Sequence, residues 1–235
     1  MTQKLVYDGL QGCPYLPGQV ARMPLYRQLR RLTLDETDAR LGNAERRVGT
    51  CLYRTTCPSC RACEGIRIPV DAFTPSRTQR RVLRKWEERG RVDLGPPTTT
   101  REKLALFNRH KRERGLTGDD DAEMTPLGYA SWLVQSCMLT AEMTYWYDGE
   151  LVGVGIIDLG RRGASSVYFY FDPDKADLSP GVFSVLQEIE LCRRTGRSWL
   201  YLGLYVDDCR HLSYKAEFRP HERLVDGDWR PFDGP

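Results

Sequence analysis

From residue 64 onward the apolar and polar side chains follow one of two periods, and each stretch predicts an element. Residues 64–73 (EGIRIPVDAF) alternate apolar and polar, as a half-buried strand does. Ser76 is placed to cap a basic helix reaching to about Arg89, and Gly95-Pro96-Pro97 with three threonines then breaks the chain. A second helix is expected from about Thr100 to Arg114, followed by an acidic loop over residues 115–121. A third helix should follow Pro126, with Leu127, Ala130, Leu133 and Val134 on one face. Residues 142–147 and 151–159 then read as strands joined by Asp148-Gly149, a pair suited to tight hairpins. Residues 165–171 predict a third strand. A helix over 182–194 presents Val182, Val185, Leu186, Ile189 and Leu191, and 199–206 predicts a further strand.

Helix, three strands, helix and strand predict an α+β fold. It would be a mixed, mainly antiparallel sheet with flanking helices, whose fourth strand feeds a central helix, as in acyltransferases of the N-acetyltransferase (GNAT) type. The first 70 residues show little period and are rich in Gly, Pro, Cys and Arg. They are expected to form a small Cys-rich N-terminal subdomain, with residues 71–235 as the GNAT-like transferase domain.

Composition narrows the class. Five Trp, twelve Tyr and seven Phe within 40% hydrophobic residues describe a globular chain, not a disordered one. No run approaches the roughly 18 apolar residues a membrane helix needs, and the first residues lack the apolar core of a secretory signal. A cytoplasmic protein that does not engage membrane is therefore expected. The formal charge of +3 says little, but residues 77–91 and 109–114 concentrate cations that would suit a phosphate backbone or form solvated helix faces.

The most informative stretches are residues 166–190, SVYFYFDPDKADLSPGVFSVLQEIE, and 201–220, YLGLYVDDCRHLSYKAEFRP. Upstream stand Cys13-Pro14-Tyr15-Leu16-Pro17, Tyr53-Arg54 with Cys57, Cys60 and Cys63, Arg67-Ile68-Pro69-Val70, and Ser76-Arg77-Thr78-Gln79-Arg80-Arg81. In this order they resemble the bacterial aspartate/glutamate leucyltransferases and their relatives, the arginyltransferases. Departures fall at Pro180, at Leu204-Tyr205, and through residues 33–49 apart from Arg46-Arg47 and Gly49. The resemblance implies an enzyme that moves an amino acid from aminoacyl-tRNA to a protein N-terminus bearing Asp or Glu, marking it for N-degron proteolysis. It favours leucine as donor, with arginine as the alternative.

Such a reaction is aminolysis of an ester that is already activated, so it requires no cofactor. An α-amine with a pKa near 7.7–8.0 is partly neutral without help, and positioning alone supplies on the order of 7–11 kcal/mol. Asp172, after an aromatic strand, is the first candidate to hold an ammonium and accept its proton, and Glu190 is the alternative; a turn residue and a solvated carboxylate are the plainer readings. Tyr168 and Tyr170 alternate onto one strand face where rings could stack on the terminal adenosine or fill core. Ser179 and Gly181 would open a helix whose N-terminus suits phosphate or an oxyanion. Tyr201 and Gly203 complete the expected pocket for the tRNA 3′ end. Arg77, Arg80, Arg81, Tyr214, Lys215 and Arg219 are candidates for the acceptor carboxylate or the tRNA backbone.

Cys57, Cys60 and Cys63 form a tight trio, to which Cys13 could add a fourth thiolate for zinc or an iron–sulfur cluster; a reduced, packing loop is the alternative. Two competing functions remain. A coenzyme-A-dependent N-acetyltransferase is disfavoured by the single glycine and Pro180 at the phosphate loop. A non-enzymatic, metal-bearing RNA-binding or redox-sensing protein would bind RNA without transferring anything.

Overall fold

The computed structural model, which describes residues 2–116 and 122–232, opens with short pieces where the sequence shows no period. Strands β1 (Gln3–Tyr7), β2 (Leu10–Gly12), β3 (Val20–Arg22) and β4 (Leu25–Gln28) precede helix α1 (Leu34–Gly42), β5 (Arg46–Val48) and β6 (Cys51–Tyr53). Most were not legible because strands of three to five residues are too short to display a period. β1, β4, β6 and β5 pair in that order into an antiparallel sheet, and β2 pairs with β3. Thr33 and Glu36 close a capping box on α1.

The chain continues through β7 (Glu64–Pro69), α2 (Arg77–Trp86), β8 (Gly90–Gly95), α3 (Arg101–Glu113) and α4 (Pro126–Tyr129). Then come β9 (Leu139–Tyr147), β10 (Glu150–Leu159), β11 (Gly163–Phe171), α5 (Pro180–Arg194), β12 (Trp199–Tyr205), α6 (Arg210–Ser213), β13 (His221–Val225) and β14 (Asp228–Phe232). The expected fold class holds in its architecture: a mixed, mainly antiparallel sheet with flanking helices. Its eight strands run β14-β13-β7-β12-β11-β10-β9-β8, and among the described strands only β11 and β12 pair in parallel. β7 ends just before residue 70 yet sits between β13 and β12, so the segments on either side of that boundary share one sheet.

Local chemistry explains the elements. Ser76 and Gln79 form a capping box on α2, and Thr100 caps α3. Asp148 and Gly149 both take positive φ, 52° and 82°, as a two-residue hairpin turn between β9 and β10 requires. The helix expected after Pro126 is interrupted. α4 passes into a wider turn over Ala130–Val134, where the Gln135 N–H donates to the Ala130 carbonyl. Leu133 is buried, but Leu127 is 75% exposed, so the single apolar face does not form. β8 and the β13–β14 hairpin were not anticipated, and most of the expected acidic loop, residues 117–121, lies outside the described residues.

The sheet divides the core. On one face Val82 and Trp86 of α2 and Phe183, Leu186 and Ile189 of α5 pack with Met143, Tyr145 and Ile157. On the other, Leu106 and Phe107 of α3, Tyr129 and Leu133 pack with Val154, Ile156 and Tyr170.

Candidate active site

β11 and β12 stay paired for only three residues, Gly163 with Trp199, Ala164 with Leu200 and Ser165 with Tyr201. Immediately beyond, each strand carries an irregularity. Val167 has no partner on β10 and Leu202 none on β7. An extra residue bends a strand and adds twist, so two bulges at one level carry the parallel pair apart and leave a split in the sheet.

Arg46, from β5, fills the floor of that split. Its Nη2 donates to the carbonyl of bulged Val167 at 3.3 Å. Its guanidinium lies against Gly203, whose φ of +83° and bare Cα leave the room; a Cβ there would fall on Arg46. Nη1 is buried with no hydrogen-bond partner among the described residues. The neighbouring Arg47 fixes this placement. Its Nε pairs with Asp158 at 2.7 Å, both side chains 1% exposed, and its Nη1 donates to the carbonyls of Gly49, Trp132 and Gln135. Successive side chains on a strand point opposite ways, so anchoring Arg47 aims Arg46 at the split.

Glu188 reaches β11 from α5. It is fully buried; Ser166 Oγ donates to its Oε1 at 3.1 Å, and Oε2 is buried without a partner among the described residues. Burial pushes its pKa up to about 8, against the pull of the Ser166 hydroxyl. After β12 the chain returns through Tyr214 and Lys215. Lys215 Nζ donates to the Leu204 carbonyl at 2.7 Å, and burial, then the charge of Arg46, bring its pKa down to about 7. Tyr214 is 42% exposed as a residue, but its hydroxyl end is sunk; burial and then the Glu188 charge raise its pKa, while Arg46 opposes them. Tyr15 joins from the N-terminal segment: burial and then Tyr53 raise its pKa, and the charge of Arg46 opposes the rise. The split thus offers a permanent cation with a free N–H, a protonatable carboxyl with a free oxygen, and an amine that sheds its charge near neutral pH.

The thiols border this site. Burial, then Cys57, Cys13, Cys60 and Cys209 in turn, push Cys63 up to about 12. All are unbridged. The loop is held by hydrogen bonds: the Leu16 N–H donates to Cys13 Sγ, and the Arg61 guanidinium donates to the carbonyls of Cys57 and Cys60. Among the described residues no three His, Cys, Asp or Glu side chains are grouped so that they could hold a metal ion. Cys13, Cys57 and Cys60, the rest of the expected set, each act on the Cys63 thiol through their charge, so the four stand near one another without such a grouping.

Family models for the arginine-tRNA-protein transferase, N terminus, and arginine-tRNA-protein transferase, C terminus, match residues 11–81 and 102–225. The chain belongs to this family. An aspartate/glutamate leucyltransferase of Aeromonas hydrophila is 38% identical over 192 residues, spanning 80% of this chain and 78% of the relative. One of Chromobacterium violaceum is 34% identical over 232 residues, spanning 93% and 89%. The C-terminal domain of a putative lysylphosphatidylglycerol synthetase from Agrobacterium fabrum shares the fold, with a TM-score of 0.53 at 15% identity over 73% of this chain and 59% of that one. The chain is thus an aminoacyl-tRNA–protein transferase, an enzyme that uses aminoacyl-tRNA and protein as substrates.

In this transferase the residues singled out from sequence divide. Lys215, Tyr214 and Gly203 gather at the split. Asp172 does not: its Oδ1 accepts from the Asp174 N–H and pairs with Arg109 at 2.9 Å, a turn cap at the far end of β11. Glu190 is exposed on α5, 3.9 Å from Arg194. Tyr168 and Tyr170 face α3, where they pack on Phe107, and the Tyr170 hydroxyl meets that of Tyr129 at 2.6 Å, so neither ring lines the split. Ser179, in a left-handed conformation, precedes Pro180 as the cap of α5, and open space lies over Gly181. Pro180 at the first helical position is favourable there, its missing N–H being one that the helix leaves unpaired. Tyr201 accepts from Arg67 Nη1 and stacks edge-on with Trp229. Arg77, Arg80, Arg81 and Arg219 are exposed, Arg80 donating to the Pro75 carbonyl and Arg219 to that of Ala216.

Arg46, Glu188, Ser166 and Tyr15 escaped the sequence reading as site residues. Glu188 had a signal: it lies three residues after Val185 and four before Cys192, a carboxyl on the apolar stripe of α5. Arg46 had none beyond its place in a matching dipeptide.

Proposed function

We propose that this transferase, acting in the cytoplasm, moves leucine from leucyl-tRNA onto the α-amine of proteins that begin with Asp or Glu, marking them for proteolysis, and that the β11–β12 split is where ester and amine meet. The observation that carries this reading is that adjacent residues of β11 hold Arg46, at the Val167 carbonyl, and Glu188, at the Ser166 hydroxyl, Arg46 with an unpartnered Nη1 and Glu188 with an unpartnered Oε2. A buried guanidinium with a free N–H suits a carboxylate, and the acceptor's side chain supplies one.

The acceptor's ammonium gives a proton to Glu188, whose raised pKa matches that of an α-amine. The neutral nitrogen attacks the ester carbonyl, the C–N bond forms, and the C–O bond to the ribose breaks. Glu188 returns its proton to the departing ribose oxygen, and the attacking nitrogen sheds its second proton to solvent, so atoms and charge balance without a nucleotide or an acyl-enzyme. Lys215, uncharged above about pH 7, does not compete with Arg46 for the carboxylate.

Support for leucine comes from relatives named as aspartate/glutamate leucyltransferases; arginine is the competing donor because the matching family models describe arginine transfer. The test mixes the protein with peptides bearing N-terminal Asp, Glu or Ala and labelled Leu-, Arg- or Phe-tRNA. Ribonuclease-sensitive transfer of leucine to Asp and Glu alone is expected. Equal labelling of the Ala peptide would overturn the acceptor reading, and arginine transfer the donor reading.

A further inference from the structure

We infer that the outer face of α2 is the docking surface for the phosphate backbone of the donor tRNA's acceptor stem, leaving Arg46 alone to read the acceptor protein. This rests on the function proposed above, and it separates two tasks that the basic residues could share.

α2 places Arg77, Arg80, Arg81 and Arg84 in solvent, and none of them has a carboxylate partner within 4 Å among the described residues, although other exposed arginines do, as Arg22, Arg30, Arg89 and Arg161 show. Unneutralised cations gathered on one face raise the local concentration of anionic partners and speed their association. The helix is ten residues long, about 15 Å at 1.5 Å per residue, a length that runs past several phosphates of one strand. Across from it, Arg194 of α5 shares with Arg80 and Arg84 the rim of a groove of ≈ 730 Å³, floored by Trp86 and Phe183. Cations therefore stand on both banks of one channel. Glu87 is the single carboxylate on its lining.

The direction of α2 connects this surface with the chemistry. At its first turns Gln79 donates to the Glu217 carbonyl, in the same short helix, Tyr214–Glu217, that carries Lys215 into the split. At its other end Lys85 and Trp86 donate to the carbonyls of Asp177 and Leu178, in the turn that opens α5. A strand lying along α2 thus ends beside the closing element of the site. Arg46, by contrast, lies in the split with its Nη1 buried, where a stem cannot follow.

The test uses the full-length R77Q/R81Q/R84Q variant, whose replaced side chains are exposed and whose glutamines keep helix propensity, so its melting temperature should match the wild type. Binding of uncharged tRNA is measured across salt concentrations. The dissociation constant should rise at least about tenfold, and the log–log salt slope should become shallower by about 0.7–0.9 for each phosphate that is no longer neutralised. With a leucylated CCA trinucleotide as donor, too short to reach α2, the kcat/KM deficit seen with leucyl-tRNA should disappear. An unchanged slope overturns the proposal, as does an equal deficit with both donors, which would put these arginines in the split. Because tRNA binding is read without catalysis, absence of any transfer activity would sink the proposed function while leaving this result to stand or fall separately.

Discussion

The guanidinium of Arg46 and the space that a side chain at Gly203 would need are the same volume on the floor of the β11–β12 split. A residue from the N-terminal sheet and a residue of the central sheet are thereby fitted to each other. Gly203→Ala should cost about 1–3 kcal/mol for its positive φ and expel Arg46 from the split. Urea unfolding together with transfer assays checks this. Normal activity with normal stability would show that the fit does not matter.

Removing Arg46 itself should weaken the acceptor's hold. A hydrogen bond to a charged group is worth about 1.5–3 kcal/mol, so Arg46→Ala should lower kcat/KM for an Asp peptide roughly ten- to hundredfold. Arg46→Lys should not restore it, because an ammonium cannot donate both to Val167 and to a carboxylate in the same geometry. Steady-state kinetics with varied peptide give the answer.

Glu188 sets a pH dependence with a definite sign. Its carboxyl is pushed up to about 8 by burial, above its ordinary value of 4.5, so the folded protein holds a proton the unfolded chain has released between these values. Stability contributed by the neutral carboxyl is complete below pH 4.5 and is lost as pH rises through about 8. Transfer should move the opposite way, rising as the carboxylate forms. Glu188→Gln should flatten the stability slope and abolish the activity limb. A rising limb that survives in Glu188→Gln would assign the proton transfer elsewhere.

Asp172 is expected to matter for folding and not for chemistry. Its caps and ion pairs tie the turn after β11 to α3. Asp172→Ala should cost about 1 kcal/mol, the usual value of a lost cap, and leave kcat unchanged. A large fall in kcat with native stability would return Asp172 to the reaction.

Cys63, with its thiol pushed up to about 12, should alkylate more slowly at pH 8 than a free cysteine, since the thiolate is the reactive form. Peptide mapping after timed iodoacetamide treatment measures this directly. Rapid labelling of Cys63 would show that the loop opens.

Much of the fold could be read along the chain. The cap at Ser76, the start of α3 near Thr100, the Asp148-Gly149 turn and the alternation through β7 are local events, decided by neighbours one to four residues away. Lys215, Tyr214 and Gly203 were likewise legible, because each lies in a stretch with a recognisable order of residues. An Asp-Pro turn and a catalytic carboxylate look alike when only the chain is seen, and Arg109, the partner that ties Asp172 to α3, lies 63 positions away. Tyr168 and Tyr170 misled for a related reason. Alternation says that two rings share a face, but whether that face meets a ligand or α3 depends on what packs there.

By itself the sequence determined the family, the α+β class and most elements beyond residue 64, because these follow from residue order and local periodicity. The tertiary structure alone decided the site. Arg46 and Glu188 are 142 positions apart, one on β5 and the other on α5, and only the folded chain brings them to Val167 and Ser166, neighbours on β11 at its bulge. Burial and charge proximity act through space, so no spacing along the chain could announce them.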